Sequence, residues 1–123
     1  MKANELMIGD WAGFNSGYGK VTGITDAGVH FEDRFGLGIA SGAEPIPLTP
    51  EILGKNGFEK SEHGWYCNRK IDAWEIEIYI GRIETSVKIN KGIFPYINNI
   101  DCHFVHQLQH ALRLCGIDKE ITL

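Results

Sequence analysis

The sequence lacks long basic runs, and this absence narrows the classes of function open to it. Its 123 residues carry a formal charge of −4, and no more than two basic residues ever follow one another. A protein that binds duplex nucleic acid usually presents a basic face that displaces counterions from the phosphates. We therefore expect nucleic acid to be a disfavoured partner.

Long apolar runs and paired cysteines are also missing. No stretch approaches the length of a membrane span, and residues 1–10 lack the apolar run of a signal peptide. The three cysteines, Cys67, Cys102 and Cys115, are odd in number and form no Cys-x-x-Cys pair. Such spacing is atypical of a disulfide framework. These absences predict a cytoplasmic protein without a membrane partner.

Glycine, in contrast, is abundant at 15 residues, and most of these lie in the first half of the chain. Glycine reaches positive φ at little cost, so residues 1–48 are expected to hold many turns and short strands. Two apolar runs flank a hairpin turn at residues 25–28, and a third follows at residues 37–40. We expect a small barrel-like antiparallel sheet, with Gly17 and Gly19 in a loop and Trp11 in its core.

The second half predicts a short helix, a β-meander and a final helix. Thr49, Pro50 and Glu51 are typical of a helix N-terminus, and Gly57 of its end. Residues 74–80 and 83–89 alternate apolar and polar side chains, as strands do. An apolar stripe then recurs at the helical period, after Asp101 as the expected cap, at Phe104, Val105, Leu108, Ala111, Leu112 and Cys115.

These elements predict an α+β fold. It comprises an N-terminal small barrel-like antiparallel sheet, a short linking helix, and an antiparallel β-meander packed by one C-terminal amphipathic helix. The expected division is a β subdomain at residues 1–48 and an α+β subdomain at residues 49–123, or else one continuous unit. Asn98 and Asn99 are expected to form a turn before the last helix.

Three histidines are the first candidate site. His103, His106 and His110 fall in one sector of the predicted helix, opposite the apolar stripe. His106 and His110 are four residues apart, a spacing at which two imidazoles can bind one metal ion, whereas His103 is a less suitable third ligand. No Glu lies between them to act as a general base. The favoured interpretation is a solvated helix face, with a metal site at His106 and His110 as the alternative.

Aromatic residues are the second candidate site. Trp11, Phe14, Tyr18 and Phe35 are predicted around the mouth of the small barrel, where Trp11, Tyr18 and Phe35 form a candidate ligand surface. The competing interpretation places Trp11 and Phe35 in the barrel core. No catalytic residue or cofactor-binding site is predicted, and no cofactor is expected.

Reactive groups elsewhere have plain structural explanations. Turn chemistry accounts for the carboxylates of Asp10, Glu32 and Asp33. Cys67 and His63 are four residues apart, so a Cys–His nucleophile pair rests on proximity alone. Neither set predicts an active site.

Two stretches and the opening Gly-Asp-Trp carry a family resemblance. One stretch runs from Leu48 to Phe58 and begins Leu48-Thr49-Pro50-Glu51-Ile52-Leu53; the other is Val105-His106-Gln107-Leu108-Gln109. With these motifs, and in the order of its elements, the chain resembles a group of small uncharacterised proteins from Bacteroidetes genomes and their prophages. The resemblance implies an accessory or protein-binding role and no particular chemistry.

The leading functional hypothesis is a non-enzymatic protein-interaction or accessory module, associated with prophages or mobile elements. A metal-dependent hydrolase that uses His106 and His110 is the first alternative. The second is a nucleic-acid accessory factor whose basic residues Lys20, Lys70 and Arg82 converge on folding. The sequence identifies no protein partner and leaves the oligomeric state open.

Overall fold

The computed structural model describes residues 5–15 and 17–123. Over these residues the chain forms nine strands and two helices, which confirms the α+β class. In chain order they are β1 (Trp11–Phe14), β2 (Gly17–Thr25), β3 (Gly28–Asp33), β4 (Gly36–Ala40), α1 (Pro50–Lys55), β5 (Glu59–Lys60), β6 (Trp65–Asn68), β7 (Trp74–Ile80), β8 (Thr85–Lys91), β9 (Phe94–Asp101) and α2 (Val105–Leu114).

The chain divides into two compact units. The first unit holds the described residues up to Pro47 together with Phe104–His106, and the second unit holds Leu48–His103 together with Gln107–Leu123. Neither described helix is long and apolar enough to cross a membrane.

The first unit is built on a four-stranded antiparallel sheet with the order β1-β2-β3-β4. The predicted hairpin is confirmed, because β2 and β3 pair up to Thr25 and Gly28, where Gly28 has a φ of 131°. Side chains that alternate along the strands point to one face and form the core of the unit. This core consists of Leu6, Ala12, Val21, Val29 and Ala43.

The sheet is not a closed barrel, so the barrel-like prediction holds only for its antiparallel strands. Closure requires the first and last strands to pair along their length. Here the described part of β1 pairs instead with a single residue beyond β4. The Gly13 N–H donates to the Glu44 backbone carbonyl, and the Glu44 N–H donates to the Gly13 backbone carbonyl, both at 2.8 Å. Pro45 and Pro47 accordingly form no regular edge strand.

The loop predicted at Gly17 and Gly19 is wrong, since both residues belong to β2. Gly19 serves packing rather than a turn. A Cβ atom at this position would lie only 3.2 Å from the Phe31 ring and 3.3 Å from the Phe14 ring. A larger residue at this position would therefore press on the two aromatic rings that lie over it.

The second unit contains a five-stranded antiparallel sheet with the order β5-β6-β7-β8-β9. The predicted meander is confirmed. Its alternation buries one face, which includes Ile76 and Ile78 on β7 and Val87 and Ile89 on β8. The turn predicted at Asn98 and Asn99 is wrong, because β9 runs through both residues. The strand accommodates them by a shift in the β8–β9 register and by a φ of 53° at Asn99.

Helix α1 begins as predicted. The Thr49 hydroxyl accepts a hydrogen bond from the Ile52 N–H at 3.3 Å, and Pro50 is the first helical residue. Asn56 ends the helix and Gly57 follows with a φ of 84°. The segment is short, so it depends on such terminal hydrogen bonds more than on helix propensity.

The Asn56 side chain ties three segments of the second unit together. Its Nδ2 donates to the backbone carbonyls of Ile52 and Thr122, both at 2.7 Å. Its Oδ1 accepts from the Thr122 N–H at 2.8 Å. Asn68 on β6 donates to the Asn56 backbone oxygen at 3.1 Å. The C-terminal tail is thus held by side-chain hydrogen bonds rather than by the sheet edge.

The cap predicted for α2 is wrong, because Asp101 is the last residue of β9. The chain stays extended there through pairing of Asp101 with Ser86. Near the start of the helix, the Gln107 side chain accepts a hydrogen bond from the His103 N–H at 2.8 Å. Gln107 in the first turn therefore accepts from a backbone N–H near the helix N-terminus, a role that was predicted for Asp101.

Replacement of Asn56 by alanine tests this tie. Asn56→Ala removes three side-chain hydrogen bonds from a buried site and should lower the free energy of unfolding by about 2 kcal/mol. Urea denaturation followed by circular dichroism measures the loss. The exposed Asn98 provides the matched control, and Asn98→Ala should change stability by less than about 0.5 kcal/mol. Equal effects at the two positions would contradict the tie.

Candidate functional site

A groove of about 670 Å³ lies in the first unit between its two edge strands. Residues of β1, of β4 and of the segment that follows β4 line it, together with one residue of β3. The lining consists of residues 13–15, Phe31 and residues 39–44. The groove therefore marks the seam where the open sheet fails to close.

Two stacked phenylalanines form the aromatic wall of the groove. The rings of Phe14 and Phe31 lie 3.9 Å apart at their centroids, with 13° between their planes. Gly38 makes this arrangement possible, because a Cβ atom there would lie 2.5 Å from the tip of the Phe31 ring. Aromatic rings that lie over strand glycines replace the missing side chains and fix the local packing.

The rest of the groove is built from small residues and one acid. On β4, Gly38 and Ala40 share the face of the Phe31 ring, so no side chain longer than a methyl group fills that edge. Of the described residues that line the groove, only Glu44 is ionisable, and it is exposed. Phe14 and Phe31 are half-buried, so they offer apolar contact area to a ligand.

The predicted aromatic surface lies elsewhere in the first unit. Trp11 is half-buried beneath the Lys20 ammonium, which lies 5.2 Å from the ring centroid. Tyr18 is exposed on β2, and Phe35 is 72% exposed beside the Arg34 guanidinium. The core interpretation of Phe35 is therefore wrong. Of the four residues predicted at the barrel mouth, Phe14 lines the groove, where its aromatic partner is Phe31.

The prediction that three imidazoles lie in water is wrong for His106, whose exposed fraction is 4%. The His106 ring stacks on Phe104 with 5.9 Å between centroids. Pro47 pairs with Phe104, and the Val105 N–H donates to the Ile46 oxygen at 2.8 Å. The segment at Ile46 and Pro47 therefore lies beside the start of α2, a contact that the helical period does not predict.

His103 and His110 are each half-buried. Within residues 5–15 and 17–123, no group of three or more His, Cys, Asp or Glu side chains is arranged to hold a metal ion. Metal binding by the pair His106 and His110 stays a prediction.

Two of the three basic residues of the nucleic-acid hypothesis contact neighbours within their own units. Lys20 lies over Trp11 in the first unit, and the Lys70 ammonium is 3.4 Å from the Glu59 carboxylate in the second. Arg82 is exposed in the segment between β7 and β8.

A pair of carboxylates on β7 escaped the sequence analysis. Glu75 and Glu77 face the same side of the strand and share a hydrogen bond, which raises the pKa of Glu77 and lowers the pKa of Glu75. Desolvation adds to the rise at Glu77, and Arg69, 3.2 Å from Glu75, adds to the fall. The period of two already places both residues on one face, so the pattern could have revealed them.

The cysteines are poor nucleophiles. Burial raises the pKa of Cys102 to about 12 and also raises the pKa of Cys115. The pKa of Cys67 is raised first by desolvation and then by the Glu77 carboxylate, which faces it across β6 and β7. His63 lies in an exposed turn before β6. A raised pKa keeps the Cys67 thiol protonated, which disfavours the proposed Cys–His pair.

No family model, curated protein or solved structure matches the chain. The groove, with its paired rings and bare strand edge, is the feature on which a functional proposal can be built.

The glycine at position 38 should control the shape of the groove. Gly38→Ala places a methyl group where the Phe31 ring lies, so the ring must move and stability should fall by about 1 kcal/mol. Loss of nuclear Overhauser contacts between the Phe14 and Phe31 rings would record the movement. Gly42 also lines the groove but has open space at its Cβ position. Gly42→Ala should leave these contacts intact.

The Glu77 carboxylate should slow alkylation of Cys67. Glu77→Gln removes the negative charge that disfavours the thiolate, so the pKa of Cys67 should fall and its reaction with iodoacetamide at pH 8 should accelerate about twofold. Peptide-resolved mass spectrometry measures each cysteine separately. Cys115, whose pKa is raised by burial alone, should react at an unchanged rate. An unchanged Cys67 rate would contradict the electrostatic contribution.

Proposed function

We propose that the protein is a non-enzymatic interaction module and that its first unit binds a segment of a partner protein in the groove. The observation that carries this proposal is the stacked pair Phe14 and Phe31, which leaves apolar ring surface at an open seam of the sheet. Ligand sites are commonly concave, with apolar walls and a few polar groups that fix orientation.

The lining favours binding over chemistry. Its polar side chains are those of Asn15, Ser41 and Glu44, and these described lining residues include no histidine, lysine or cysteine that would activate a nucleophile. The aromatic wall and the polar side chains supply both apolar and hydrogen-bonding contacts for a polypeptide ligand.

Exposed apolar residues also lie on the other face of β4, because Leu37 and Ile39 alternate with Gly38 and Ala40. Leu37 is 81% exposed and Ile39, which also lines the groove, is 58% exposed. Neighbouring exposed apolar residues of this kind often mark protein-binding surfaces. The accessory role implied by the family resemblance agrees with this proposal.

The proposal is tested by selecting peptides on the purified protein. A displayed library of random decapeptides is panned against the wild-type chain, and the affinities of enriched peptides are measured by fluorescence polarisation. Ile39→Lys places a charge at the groove and should weaken these peptides about tenfold or more. Because Ile39 is exposed, the free energy of unfolding should change by less than about 0.5 kcal/mol.

Ile83→Lys is the matched control, since Ile83 is 96% exposed and belongs to the second unit. It makes the same change of side chain without touching the groove and should leave the affinities unchanged. The proposal fails if no peptide is enriched, or if Ile39→Lys and Ile83→Lys bind every enriched peptide as the wild type does.

A further inference from the structure

The two sheets together have four edge strands, and three of them are protected against pairing with another chain. Exposed edges are normally blunted by short length, charge, proline, bulges or cover from another segment. β1 is engaged at Gly13 by the two hydrogen bonds with Glu44. β5 has only two residues, Glu59 and Lys60, and both are charged.

β9 is longer but irregular. It contains Pro95, its pairing with β8 shifts register twice, and Asn99 adopts a positive φ of 53°. Proline and bulges of this kind interrupt the regular row of donors and acceptors that an added strand would need. β9 is therefore a poor template despite its exposure.

β4 is short but has no charge, proline or bulge, and its one positive φ, 114°, is at its first residue, Gly36. Its five residues, Gly36–Ala40, contain no charge and no proline, and they pair with β3 in an unbroken register. No described strand pairs with its other side. An uncharged and regular edge with exposed apolar side chains is the arrangement that accepts a further strand.

We infer that β4 binds the partner segment as an added β-strand, a conclusion that rests on the proposed function and specifies its mode. Backbone N–H and C=O groups of β4 would pair with those of the ligand. The ligand side chains would then alternate between the two faces of the sheet. The ligand side chains on one face would contact Leu37 and Ile39. Those on the other face would contact the Phe31 ring beside Gly38.

The chemistry of the groove defines the ligand class. Because the Phe31 ring covers Gly38 and Ala40 carries only a methyl group, a ligand strand would present its inward side chains to an aromatic ring, which favours aliphatic or aromatic residues at those positions. Glu44 lines the groove with an exposed carboxylate, and the whole chain has a net charge of −4. The expected ligand is an extended polypeptide segment with apolar residues on both faces and a lysine or arginine that reaches Glu44.

Backbone methylation distinguishes strand addition from side-chain binding alone. An enriched decapeptide is synthesised in two forms, with N-methyl groups on alternate residues in one frame or in the other. Only one edge of an added strand faces β4, so one frame should weaken binding about tenfold or more and the other should be tolerated. Hydrogen exchange at residues 36–40 should slow when the unmodified peptide binds.

A charge substitution checks the ligand class. Glu44→Gln keeps the backbone pairing with Gly13 but removes the carboxylate, so peptides that carry lysine or arginine should bind about threefold more weakly. Peptides should also be enriched in these two residues. Ile83→Lys again serves as the control and should reproduce the wild-type result in both methylation frames.

The outcomes separate the inference from the function that it specifies. If both frames weaken binding equally, or neither does, strand addition is wrong, and a loss of affinity in Ile39→Lys then shows groove binding without it. If no peptide binds at all, the proposed function fails and the inference fails with it. If the chain instead forms dimers that Ile39→Lys dissociates, the occupant of β4 is a second copy, which overturns the inference.

Discussion

The contact between the Phe31 ring and the bare backbone of Gly38 is the constraint on which the candidate site depends. The ring occupies the space that a side chain at position 38 would fill, since a Cβ atom there would lie 2.5 Å from its tip. Gly19 makes similar room from β2. With the ring held flat, Phe14 stacks on it at 3.9 Å and the groove acquires an aromatic wall.

The glycines of β4 also disfavour closure of the sheet. Glycine positions in a strand have no side chain to pack, and glycine costs more backbone entropy than other residues on folding. β4, with glycine at positions 36 and 38, stays at the edge instead of joining β1 along its length. The residues that shape the groove thus also leave the seam open, so the surface and its accessibility have one physical origin.

In the second unit, polar side chains form hydrogen bonds between segments that strand pairing does not connect. Asn56 binds the C-terminal tail through Thr122, and Asn68 binds the backbone of Asn56. Buried amides of this kind are favourable only when their hydrogen bonds are all made. Gln107 at the start of α2 serves its own terminus in the same way.

Most elements of the fold could be predicted from the sequence, because they depend on local patterns. The alternation at β7 and β8, the hairpin between β2 and β3, and the cap at Thr49 each follow from residues close together in the chain. Asp101 misled the prediction for α2 because pairing across the β8–β9 ladder overrode its capping preference.

The candidate site was decided by the tertiary structure alone. Phe14 and Phe31 are 17 positions apart in number, and only the register of three strands places their rings together. The helical period placed His106 on an outward sector, whereas the segment at Ile46 and Pro47 flanks that end of α2. By itself the sequence determined which segments become strands and helices, because local periodicity encodes them. Which side chains meet, and which edge stays open, depended on contacts between distant residues that no local pattern records.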